Sequence, residues 1–371
     1  MGTARNLLRD IRAGCVLSMV LAACSPAPQV WHQELLVFGS STQLTIADAP
    51  ADAVAVSSAE IARRMNLRNG EWHAWKPSDL TRINAAFAAG QPAPAPASIR
   101  TLIQRSQVLS AKVNGAFDPA IGGIIAAWGF HSSDYPIRSA PPAAVEIEQW
   151  LREKPTIGDV TVHPDGSVSS RNRAVQLDFG AIAEGAAAQE IRIILAEHGI
   201  HNALITMGGD VLATGSKHGA AWRVGIIDPR GGIFAGISLS DGDALFSSGD
   251  YNKYRSDLEH GTRLAHIINP LTGRPTRGTA STAVLHHDPV VADVAATTLM
   301  VVGHQGFEST LRALGIRCAM LLSDDDTLYI TRAMRARIEL LRQPAQQAPA
   351  LDLGGSCGER EPSRQVHGTT G

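Results

Sequence analysis

The apolar stretch from Pro289 to Val302 carries a carboxylate at Asp293 and a hydroxyl at Thr297. In a helix this i, i+4 spacing puts both on one face. A buried carboxylate is unfavourable unless it is paired, hydrogen-bonded or bound to a metal. Asp288 already supplies a helix N-cap, so Asp293 is not needed for that. Carboxylate and hydroxyl oxygens suit a hard cation such as Mg2+, which keeps waters and phosphate oxygens as further ligands. The ordinary alternative is an acid favoured by the dipole of its own helix. Metal binding is the preferred reading.

Other groupings carry weaker signals. Asn114-Gly115-Ala116-Phe117-Asp118-Pro119-Ala120-Ile121-Gly122-Gly123 is a turn between apolar segments, followed by Trp128-Gly129-Phe130. Alone, Asp118-Pro119 reads as a helix start, with Asp as N-cap and Pro at the first turn. Leu177-Asp178-Phe179-Gly180-Ala181-Ile182-Ala183-Glu184-Gly185 runs from a strand into an alanine-rich helix. Small residues there admit a close ligand, and a helix N-terminus favours phosphate. A capping Asp at an ordinary strand-to-helix turn is the equal alternative. Met207-Gly208-Gly209-Asp210 reads first as a tight turn. His266 precedes Ile267-Ile268-Asn269-Pro270, a turn loaded with Asn and Pro. A histidine base must reach a hydroxyl, and a lone histidine is more often structural. Gly-x-Gly-x-x-Gly after a strand, a Walker loop and His-Glu-x-x-His are absent, so the common dinucleotide, nucleotide and zinc-protease signatures are lacking.

Positioning these residues requires a mixed α and β frame. The patterning predicts a strand over 35–46 broken at Gly39-Ser40, and helices over 51–66, 99–114, 183–198 and 290–303. It predicts strands at 160–163, 174–178, 203–207, 211–214, 222–227, 236–239, 244–247, 318–323 and 327–331, then a basic helix over 332–342. Residues 131–142 read as an exposed insertion, and the Pro/Gln/Gly-rich residues 343–371 as a disordered tail.

The 371 residues include 33 basic and 35 acidic side chains, with the basic ones scattered, which argues against a dedicated nucleic-acid binder. Four cysteines, none in a Cys-x-x-Cys pair, exclude a disulfide scaffold and a zinc ribbon. Arg5, Arg9 and Arg12 precede an apolar run from Ala13 to Ala23, the order of a secretory signal over residues 1–23. Leu21-Ala22-Ala23-Cys24 is similar to a bacterial lipobox, which implies an exported lipoprotein. It would be anchored through lipidated Cys24 on the periplasmic side of a membrane, with residues 24–33 as a linker. Cys318 reads as a small core residue and Cys357 as part of the tail. A bridge between them is permitted in an oxidising compartment, but it is not the preferred reading.

In this order the segments resemble the ApbE family, the FAD:protein FMN transferases. The resemblance rests on Ala116-Phe117-Asp118-Pro119, Trp128-Gly129-Phe130, Asp178 to Gly185, Met207 to Asp210, Ser248-Gly249-Asp250-Tyr251, His266 to Pro275, and Asp293 with Thr297. It implies a single compact α/β (mixed α+β) unit over 34–342, with two subdomains and FAD between them. It implies that Phe38 and Trp75 flank the flavin or adenine, and that Ala116, Phe117 and Asp118 hold the adenosine part. Asp178, Glu184 and the backbone near Ile267 and Ile268 would contact FAD. Mg2+ would sit on the Ala181 carbonyl, Asp293 and Thr297, with His266 assisting the acceptor hydroxyl. The implied reaction moves FMN from FAD to a Ser or Thr of a target protein and releases AMP. An FAD pyrophosphatase and a non-enzymatic FAD-binding lipoprotein are the alternatives. The chain departs from the family pattern at Phe38, Glu184, Asn269 and Ala296.

Overall fold

The computed structural model describes residues 29–357 except 38, 39, 252 and 258–261. Residues 1–28, which include the expected leader and Cys24, together with Phe38 and residues 358–371, lie outside the described residues.

A nine-stranded sheet forms the centre, its strands lying in chain order: β1 (Val30–Val37), β2 (Ser40–Ala47), β3 (Ala203–Met207), β4 (Asp210–Thr214), β5 (Ala244–Gly249), β6 (Thr279–His286), β7 (Cys318–Ser323), β8 (Thr327–Ile330) and β9 (Gln346–Gln347). Neighbours are antiparallel except β8 and β9. Both faces are covered, so the inner strands are apolar on both sides. Leu212, Phe246, Val284 and Leu321 pack among helices. The alternate residues Val211, Leu245, Leu285 and Leu322 pack in a second core, against a three-stranded sheet of Trp222–Ile227, Ile233–Leu239 and Ile338–Leu340. A period of two explains which residue serves which core.

The helical layer contains α1 (Ala51–Trp72), α2 (Asp79–Ala89), α3 (Ala97–Lys112), α4 (Ala183–Glu197) and α5 (Pro289–Val302). Ser78 caps α2 by accepting from Thr81 N, and Asp288 caps α5 by accepting from Val290 N and Val291 N. α4 has no side-chain cap of its own.

Several sequence expectations are corrected. Residues 174–178 are not a strand: the backbone is fastened piecewise instead. Asn84 brackets Leu177, donating to its carbonyl and accepting from its N–H, while Asp178 N donates to Pro119 O. The basic helix over 332–342 is a single turn, Arg332–Arg335, followed by the strand Ile338–Leu340. Alternating Ile338 and Leu340 suit an edge strand, whereas the arginines supply no apolar helical stripe. The insertion 131–142 is largely exposed as expected, but it is tied down: Ile137 is buried, and the buried Arg255 guanidinium donates to the carbonyls of Trp128 and Ser139.

Residues 343–357 are ordered rather than a disordered tail. β9 extends the sheet edge, Leu351 N donates to Ile330 O at 2.9 Å, and a Cys318–Cys357 disulfide closes the segment with a Cα separation of 5.4 Å. Backbone pairing to an open edge needs no apolar side chains, so composition misleads here. Arg342 anchors the start of this strap on Asp228 and Asp326.

Candidate functional site

A cavity of about 480 Å3 opens where α4, α5, the β3–β4 turn and the end of β5 meet. Its lining contains Trp75, Ala116, Phe117, Asp118, Asp178, Ala181, Glu184, His266, Ile267, Ile268, Asp293 and Thr297. Every described residue to which the resemblance gives a ligand, metal or base role is therefore in one place, from segments scattered between positions 75 and 297.

Asp293 is 7% exposed. It does not act on its own helix. Its Oδ2 accepts from Gly185 N at 2.8 Å, in the first turn of α4. Gly185 is required there, because a Cβ would meet the Pro289 carbonyl oxygen at 2.5 Å. The absence of a side chain brings α4 against the start of α5, and Asp293 takes the place of the missing cap. Burial, then the Glu184 carboxylate, pushes Asp293 up to about 8. Thr297 follows one turn on, its Oγ1 3.2 Å from Ser248 Oγ.

Asp210, to which the sequence reading gave no role, belongs to the same group. It is buried, its Oδ1 accepts from Ser247 N at 2.7 Å, and a side-chain hydrogen bond joins it to Glu184. Burial and the neighbouring carboxylates of Glu184 and Asp293 raise it well above the ordinary range. Gly208 and Gly209 form the turn that delivers it, both with positive φ (59° and 115°), as a two-residue hairpin turn demands. The turn reading of this motif and a site role thus coexist. A carboxylate directly after paired glycines was the available signal.

Among the described residues no Lys or Arg forms an ion pair with Asp293, Asp210 or Glu184 (Lys253 lines the same cavity and lowers Glu184 only through its field). Among the described residues no group of three or more His, Cys, Asp or Glu is spaced to hold an ion unaided. An ion bound here would therefore depend on mixed oxygen donors, as Mg2+ sites with substrate phosphates do.

His266 is neutral at pH 7, because burial and the Lys253 charge push it down to about 4. Its Nδ1 lies 3.0 Å from the Lys253 carbonyl oxygen. A carbonyl only accepts, so Nδ1 carries the proton and Nε2 is left as the acceptor. Asn269 is a turn former: its Oδ1 accepts from Leu271 N, and its carbonyl accepts from Gly273 N. Asp118 is not a helix N-cap, since the next helix starts at Gly122. It accepts from Ala120 N and Ile157 N at 2.9 Å, and burial pushes it up to about 6.

A family model described as the ApbE family matches residues 38–320. The chain belongs to the ApbE family. A Rhodobacter capsulatus protein named FAD:protein FMN transferase is 35% identical over 335 residues, which cover 89% of this chain and 62% of that protein. The chain thus spans under two thirds of that relative. A Vibrio cholerae protein of the same name is 28% identical over 83% of this chain and 92% of its own length. Among solved structures, the ApbE protein of Thermotoga maritima aligns with a TM-score of 0.74 at 24% identity, covering 83% of this chain and 99% of that one. The flavinyl transferase ApbE of Pseudomonas stutzeri, in its apo form, aligns at 0.73 and 26% identity, covering 84% and 97%. The mixed α/β architecture expected from the sequence is thus the family's fold.

Proposed function

We propose that this ApbE-family chain transfers FMN from FAD to a Ser or Thr hydroxyl of a target protein, in a Mg2+-dependent reaction that releases AMP. The observation that carries the reading is the meeting of the acidic group with a neutral histidine in one ligand-sized cavity. The names of the relatives support the flavin chemistry.

The residues divide the work. Trp75, Ala116, Phe117 and Asp118 wall the part of the cavity that would take the rings and ribose. Asp293, Thr297 and the Ala181 carbonyl supply the hard oxygen donors that would hold Mg2+. Bound there, Mg2+ would offset charge on the diphosphate and orient it. His266 Nε2 accepts the proton of the incoming hydroxyl as it attacks the FMN-side phosphorus, leaving AMP as the departing group. Such a base contributes about 10²–10⁴-fold.

The leader-like residues 1–23 and the lipobox-like Leu21-Ala22-Ala23-Cys24 support a reaction outside the cytoplasm, with the chain tethered at Cys24. The Cys318–Cys357 disulfide supports an oxidising compartment.

The test uses the chain without residues 1–23, FAD, Mg2+ and a target domain bearing an Asp-x-x-Thr-Gly-Ala-Thr segment. Flavin fluorescence should remain on the target after denaturation, and EDTA should abolish it. FAD bound with no covalent label would overturn the reading.

A further inference from the structure

Trp75 is 42% exposed at the cavity, yet its indole is fixed on the protein side. The His131 ring stacks on it, centroids 5.0 Å apart and planes 17° from parallel. His73 meets it at 4.5 Å in a T-shaped contact. His131 is itself held: its Nε2 donates to Asp178 Oδ2 at 2.9 Å. The other oxygen of that carboxylate accepts from Gly180 N at 2.8 Å. Both Asp178 oxygens therefore serve donors of the protein. Asp178 is fixed by the turn into α4, the same turn that brings Ala181 to the cavity. Carboxylate, imidazole and indole form one chain of contacts from that turn to the cavity wall.

An exposed tryptophan on a loop would lose side-chain freedom on gripping a ligand ring, which weakens binding. A ring already stacked has lost that freedom before the ligand arrives. We propose that His131, through its ring stacked on Trp75, is a positioning residue that holds the indole as the wall on which a ring of the dinucleotide packs. The ligand's identity rests on the transferase reading; the stack itself does not.

The experiment compares FAD binding, by quenching of flavin fluorescence, in wild type, His131→Gln, His131→Phe, Trp75→Ala and Trp75→Ala combined with His131→Gln. Gln keeps a donor for Asp178 and removes the ring; Phe keeps the ring and removes the donor. His131→Gln should weaken binding about 3- to 10-fold, in the range an aromatic pair contributes. His131→Phe should stay within about twofold of wild type. In the Trp75→Ala background, His131→Gln should add nothing, because the residue acts through the indole. Unchanged binding in His131→Gln, a reversed order of Gln and Phe, or a further loss in the double variant would each overturn the proposal. If wild type binds no FAD, the transferase reading fails and the stack is judged on Trp75 emission, isolated by subtracting the Trp75→Phe spectrum. A red shift of that emission in His131→Gln supports the stack, and an unchanged emission overturns it.

Discussion

The carboxylate of Asp293 on α5 accepts the backbone N–H of Gly185 on α4 at 2.8 Å. One contact thereby orients the proposed metal-binding carboxylate and satisfies an orphan donor of a helix that lacks its own cap. Site and core are built from the same atoms, so changes at this junction act on both stability and activity.

Gly185→Ala tests the junction. In an open helix this change would stabilise by up to about 1 kcal/mol. Here the new Cβ meets the Pro289 carbonyl at 2.5 Å, a backbone atom that cannot swing aside. The expected outcome is destabilisation of about 1–3 kcal/mol, measured by denaturant unfolding. A stabilised variant would show that the two helices are not locked together.

The raised Asp293 gives a pH dependence of known sign. Its folded value of about 8 exceeds the ordinary 3.8, so folding disfavours the ionised form. The stability this group contributes is therefore full below the ordinary value and is lost as pH rises toward 8. In EDTA, the melting temperature should fall from pH 5 to pH 8, and Asp293→Asn should flatten that fall. Added Mg2+ should raise the melting temperature more at pH 8 than at pH 5. Parallel curves for wild type and Asp293→Asn would contradict the assignment.

His266 should act as a base already free of its proton. With the imidazole held down to about 4, the single-turnover transfer rate at saturating Mg2+ should stay level through pH 6.5, where an ordinary histidine would be half protonated. His266→Ala should slow that step by about 10²–10⁴-fold and leave FAD binding nearly unchanged. An equal loss in binding would make His266 a ligand contact instead.

The strap over residues 343–357 is a stability device. None of its residues lines the cavity. Replacing Cys357 by Ser opens a loop between positions 39 apart, which should lower stability by about 2–4 kcal/mol. FAD affinity should be unaltered. A variant with wild-type stability would show that the edge pairing alone holds the strap.

The sequence made α5, α4 and most sheet strands legible, because their apolar periods are long and continuous. Asp293 stood out as a charge within an apolar helix, and its burial agrees with that reading. Gly185 stood in a quoted motif, but its pairing with Asp293 was invisible, since a contact between segments 108 residues apart leaves no local trace. Asp118 misled for a related reason: Asp-Pro looks like a helix start, but the carboxylate bonds Ile157 N, 39 positions away. The strap was misread because backbone pairing at a sheet edge requires no particular composition. Trp75 came from family resemblance alone, and nothing local linked it to His131.

The proposed transfer stands on Asp293 and Thr297 holding a divalent ion against the diphosphate of FAD. The most direct measurement is anomalous scattering from crystals grown with FAD and Mn2+ in place of Mg2+. A peak is expected within bonding distance of Asp293, Thr297 Oγ1 and the Ala181 carbonyl, beside the diphosphate, and it should be lost in Asp293→Asn. FAD bound with no peak at those oxygens would contradict it.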